Sequence, residues 1–145
     1  MENEFNLSRT KLHENAMICM YQHLFYSKMN KECKKILPEI VSDVMEIPYD
    51  DCDDFFKSII FESVKQKKEF IDLISLYLSK TWKFNRLSLI EQSILLLFTS
   101  EIVNHQVETQ VAIDMAIDLS KKYCDDQSYK FINAVLDKIG KEYGQ

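Results

Sequence analysis

The side chains able to do chemistry are few and scattered. His13, His23 and His105 lie far apart, without a cysteine or carboxylate at ligand spacing. Zinc sites are built from closely spaced Cys and His pairs, and Cys19, Cys33, Cys52 and Cys124 form no CxxC. They read as reduced thiols, and no metal site is expected. Strained turns that present a nucleophile usually recruit glycine, yet glycine occurs only at 140 and 144. Neither a Walker-type phosphate loop nor GxGxxG is present. Asp125 and Asp126 could serve as an acid–base pair, but neighbours at the start of a helix point in different directions and fit a helix-start signal better. No enzyme active site and no cofactor are expected, and the three histidines are expected at the surface or at helix caps. Function should lie in surfaces.

Those surfaces are electrically uneven. The net charge is −5, which argues against general affinity for nucleic acid, because such binding rests on cations neutralising phosphates. From Pro38 to Phe56 there are seven acids and no Lys or Arg, whereas Lys28 to Lys35 carries four lysines against Glu32. The acidic run reads first as a solvated face.

The elements that must position these charges are helical. In 145 residues there are two Gly and two Pro, too few for the tight turns of a sheet protein. Hydrophobic residues make up 46% and charged residues 28%, ordinary globular usage. Apolar spacing predicts seven helices: 8–29, 33–45, one opening at the acids 50–54, 70–81, one opening at Ser88, 109–123 and 128–142. Ser88-x-x-Glu91 fits a capping box before Ile90, Ile94, Leu95, Leu97 and Phe98. That helix is apolar on nearly all sides and should be central. No apolar run is long enough to cross a bilayer, so no membrane contact is expected and a cytoplasmic location is.

Two strings narrow the reading. Val111–Lys122, V-A-I-D-M-A-I-D-L-S-K-K, and Ser128–Ile139, S-Y-K-F-I-N-A-V-L-D-K-I, closely resemble the last two helices of the NusB family. Trp82 to Leu97, with Arg86-Leu87 and Ile90-Glu91, resembles its central helix, and the spacing from Ala16 to Tyr21 fits its first. The resemblance covers nearly the whole chain outside 31–54. Phe131, Ile132, Val135 and Leu136 form a plain core stripe, and Asn133 beside it is expected to be hydrogen-bonded within the fold.

The resemblance implies an all-α bundle in two subdomains, roughly 8–66 and 67–142. It also implies an RNA-binding adaptor for transcription antitermination of ribosomal RNA operons. Such a protein binds boxA-type RNA together with NusE, the small-subunit ribosomal protein, within the antitermination complex of RNA polymerase. The family's RNA surface maps onto Arg9, Lys11 and His13 at the start of helix one, and onto Gln127, Ser128, Tyr129 and Lys130 leading into the last helix. Only Arg9 and Lys11 of the first cluster keep firm charge, which implies modest affinity for RNA alone. At the second cluster, backbone N–H groups and Lys130 suit a phosphate, and Tyr129 suits a stacked base. The competing reading is that Asp126 or Ser128 caps the helix and Tyr129 half-packs. The partner surface maps onto Tyr21 and Glu91, although Glu91 equally completes the capping box and Tyr21 could anchor the core. Two alternatives stay open: an interaction module that has lost RNA binding, and the RNA-holding domain of an enzyme that modifies ribosomal RNA.

Overall fold

In the computed structural model, residues 2–29 and 35–144 are described, with side chains in the first helix described from Arg9 onward. The fold follows from one sequence fact: the stretch Leu89–Val103 has no polar face to offer water. Every residue from Gln92 to Ile102 is buried. A helix apolar all round must be covered all round, and α1 (Glu2–Ser27), α3 (Asp54–Lys65), α4 (Lys67–Tyr77), α6 (Thr109–Tyr123) and α7 (Asp126–Tyr143) each pack on α5 (Leu89–Val103), while α2 (Leu37–Met45) packs on α1. The expected all-α bundle with a central fifth helix is what the chain forms. Among the described residues there are seven α-helices and no strand.

Helix ends explain the differences from the expected boundaries. Pro38 sits in the first turn of α2, where its missing N–H costs nothing, so the helix starts at Leu37. The start expected at Cys33 lies outside the described residues. Asp53 caps α3 through Phe55 N and Phe56 N, which places the acidic run as foreseen. Gln66 alone separates α3 from α4, so the polar interval expected as a break is instead the first turn of α4. α4 stops at Tyr77 because Leu78 turns extended, and the chain then folds back so that Trp82 packs on Phe131, ring centroids 4.8 Å apart. The capping box forms as predicted: Ser88 accepts from Glu91 N and Glu91 from Ser88 N.

α5 ends in a Schellman motif, with His105 N donating to Ile102 O and Gln106 N to Glu101 O. The left-handed position is taken by His105, φ 54°, rather than glycine. Its ring nitrogen lies 2.7 Å from Tyr143 O, a bond to the end of α7 that glycine could not make. His105 is thus the cap histidine the sequence suggested. At the same end of the α6–α7 pair, a Cβ on Gly140 would come within 2.6 Å of Thr109 Cγ2, so glycine is what lets these helices approach there. No helix among the described residues is long and apolar enough to cross a membrane.

Leu96, fully buried in α5, measures the debt of the fold to this helix. Leu96→Ala is expected to cost about 3 kcal/mol through lost transfer energy and a residual cavity, read as a lower urea midpoint with unchanged m-value.

Candidate nucleic-acid interface

The surface is best built from Glu14, a residue sequence reasoning passed over. It projects from α1 with 11% of its side chain exposed and receives Lys122 Nζ at 2.8 Å and Tyr123 Oη at 2.9 Å, both from the last turn of α6. Lys11 Nζ approaches the same carboxylate at 3.6 Å. The hydrogen bond from Lys122 holds the Glu14 carboxyl below its ordinary value, against the opposing effect of burial. Glu14 therefore ties the start of helix one to the chain entering helix seven. Lys11, from the first predicted cluster, is thereby held beside the chain that leads into the second. The i,i+3 relation to Lys11 was visible in sequence, but a partner 108 residues away was not.

Arg9 is half-exposed, and Lys11 is exposed, its charge shared with Glu14. His13 is not with them. Its ring is buried at 1%, with Nε2 2.9 Å from Glu101 Oε2, so the expected surface histidine is an interior one. It lies on the face of α1 turned to α5, one turn after Arg9 and away from Lys11. His23 also departs from expectation: it is half-buried and accepts from Lys67 Nζ at 3.0 Å. Burial and the nearby lysine push its pKa down to about 4, which keeps it neutral.

At the start of α7, Asp125 is the cap, rather than Asp126 or Ser128, and accepts from Gln127 N and Ser128 N. Ser128 is buried at 3%, and its Oγ lies 2.6 Å from Glu91 Oε2. The other oxygen of Glu91 completes the capping box at 2.8 Å from Ser88 N. Glu91 thus pins the start of α5 to the start of α7, and both Ser128 and Glu91 have their polar atoms engaged within the fold. Gln127 and Lys130 are exposed, and Tyr129 is half-buried with Lys121 Nζ 5.1 Å from its ring centre. Asn133 is exposed, not packed beside the stripe, because its position on α7 faces away from α5.

Between these helix starts lies a cleft of about 320 Å³, whose rim includes Trp82, Lys83, Arg86, Asp125 and Gln127. Lys83 and Arg86 belong to the α4–α5 connection and were not singled out from sequence. A second, larger groove of about 840 Å³ runs from the end of α1 to α4. Leu24, Ile71, Leu76, Trp82 and Phe84 form its apolar part, Lys28, Lys67, Lys80 and Lys83 its charged part, and among the described residues no Asp or Glu lines it. Tyr21 stands half-exposed one turn before Leu24 on α1. The cysteines fit the reduced reading: Cys19 and Cys52 are buried, Cys124 is half-buried, all free, and burial pushes the Cys19 thiol up to about 12. Cys33 lies outside the described residues. No group of His, Cys, Asp and Glu among the described residues could hold a metal ion.

The chain is a small helical bundle built around one buried helix, with cations and grooves on its outside. Residues 10–141 match the sequence profile of the NusB family, and the chain belongs to that family. The Transcription antitermination protein NusB of Elusimicrobium minutum is 34% identical over 123 residues, covering 83% of this chain and 87% of that protein. Other curated relatives of that name align at 42 to 44% identity over 43 to 57% of their own length, so the chain spans about half of them. The solved structure of Thermotoga maritima NusB superposes with a TM-score of 0.77 at 28% identity, covering 94% of this chain and 93% of that one. A chain from the crystal structure of antitermination factors NusB and NusE with double-stranded RNA shares the fold, with a TM-score of 0.75 at 23% identity and coverage of 93% and 97%.

Glu14→Gln tests the tie between α1 and α6. A carboxyl held low in the folded state contributes stability above its unfolded value and loses it as pH falls through the folded value. The variant is expected to lose about 1 kcal/mol at neutral pH and to show a shallower acid limb in urea midpoints measured against pH.

Proposed function

We propose that this protein is an RNA-binding adaptor in transcription antitermination of ribosomal RNA operons, holding boxA-type RNA together with NusE. The observation that carries the reading is the Glu14 tie, which brings Lys11 on α1 to the end of α6, just ahead of the start of α7, in a member of the NusB family. Arg9, Lys11 and Lys130 supply phosphate contacts there, Gln127 an exposed amide, and Tyr129 a stacking face on the side away from Lys121. Ser128 and Glu91 act by holding α5 and α7 in register, and His13 acts from the interior. Binding needs no turnover and no cofactor, and the protein works in the cytoplasm with RNA polymerase's antitermination complex.

Few cations on a chain of net charge −5 give weak RNA binding alone. A protein partner that also touches the RNA raises the effective concentration of the second contact. The apolar, lysine-rimmed groove beside Tyr21 supports a protein docking there, with Leu76 76% exposed as an anchor. The two subdomains, 8–66 and 67–142, would then present the RNA edge and the partner groove on one body.

Titration of boxA-type RNA with NusE at low salt is expected to show binding, and its absence there would sink the reading. Replacing both Arg9 and Lys11 by Ala should reduce the slope of log K against log salt by about 1.4 for a single strand. Leu76→Asp is expected to weaken NusE capture at least about tenfold, as loss of a buried anchor does, while leaving RNA binding by the isolated chain unchanged. Retained NusE capture with no RNA binding in any mixture would favour a protein-interaction module instead.

A further inference from the structure

His13 is held at both ring nitrogens in a place closed to water. Nδ1 lies 2.9 Å from Arg9 O, one turn back on α1, and Nε2 lies 2.9 Å from Glu101 Oε2 on α5. The ring stacks on Phe98, 5.9 Å between centroids, and meets the edge of Phe55 from α3. Glu101 is fully buried, and its Oε1 has no hydrogen-bond partner among the described residues. The charged groups that face the ring are Glu101 across the interface and Arg9 on its own helix. α3 offers only the Phe55 ring, and from α6 Lys122 and Tyr123 address the neighbouring Glu14 instead.

Proton counting turns this geometry into a device. A carbonyl only accepts, so Nδ1 carries a hydrogen. The contact with Glu101 then contains one further proton, carried either by the ring or by the carboxyl. Remove it, and one hydrogen must serve two ring nitrogens that each face an acceptor without solvent: on Nε2 it keeps Glu101 and leaves the Nδ1 lone pair against Arg9 O, on Nδ1 it leaves the Nε2 lone pair against the carboxylate.

We propose that His13 is a positioning residue for the RNA edge: the one proton it shares with Glu101 clamps the Arg9–His13 turn of α1 onto α5 and so sets where Arg9 stands. The inference rests on the RNA-binding reading for its consequence, but the clamp itself does not. What changes with pH is the placement of Arg9. Burial opposes a charged ring, but the hydrogen bond and charge of Glu101 outweigh it and raise the His13 pKa. A group raised on folding contributes fully below its unfolded value, and the contribution is lost as pH rises through the folded value. RNA affinity should therefore fall on the alkaline side.

The experiment titrates boxA-type single-stranded RNA against the full chain with NusE from about pH 6 to about pH 9, below lysine titration. The wild type is expected to lose about tenfold in affinity, one unit of differential proton binding. His13→Gln, which donates to Glu101 without titrating, is expected to be flat, and His13→Arg, permanently charged, to be flat and restored at alkaline pH. Circular dichroism at each pH keeps folding in view. Parallel slopes for wild type and a folded His13→Gln, or a flat wild type, would overturn the proposal. Amide exchange of the Arg9–His13 turn judges the clamp without RNA: protection should drop at alkaline pH in wild type only, and equal protection in both would overturn it. Absence of RNA binding at every pH alongside that drop would strike the adaptor reading and leave the clamp standing.

Discussion

A helix with no solvent face imposes its will on its neighbours. Once Gln92–Ile102 must be buried, five other helices have to lie against it, and the chain's remaining freedom is in how their ends are pinned. The polar residues within α5 show how costly that position is. Gln92 donates to Leu87 O, Ser93 to Leu89 O, and Asn104, just past the helix, to Gln66 and Ser100. These three have partners because a buried polar atom without one destabilises by about as much as a lost hydrogen bond or more. Thr99 Oγ1 and Glu101 Oε1 in the same helix have none among the described residues.

The surface inherits its order from carboxylates set between helices rather than from its own cations. Glu14 gathers Lys11, Lys122 and Tyr123; Glu91 joins Ser88 to Ser128; Glu101 receives His13. Each carboxylate bridges two helices that the apolar core alone would leave free to slide. An acidic protein can present a basic edge this way, since the acids that dominate its charge are partly spent inside the framework.

Much of the fold was legible because its signals were local. The capping box at Ser88, the acids 50–54 leading into α3 and the apolar run of α5 each operate within a few residues, and the structure places them as read. The site was harder. Nothing local in Arg9–His13 distinguishes the interior His13 from the exposed Lys11; only the register of α1 against α5 does. Glu91 and Ser128 are 37 residues apart, and no pattern in either helix announces the bond between them. Asn133 misled for the opposite reason, since it sits within a recognisable string yet faces outward.

The cap of the last helix has a consequence for selectivity. A bare helix start attracts any anion, including inorganic phosphate and free nucleotides. Here Asp125 already occupies the amides of Gln127 and Ser128 and sets a negative charge at that point. That helix start therefore holds its own counter-charge and is poorly suited to a small dissolved anion. On the proposed function, the phosphates of a polyanion would reach past Asp125 to Lys121 and Lys130, so the edge would discriminate by the length of its ligand.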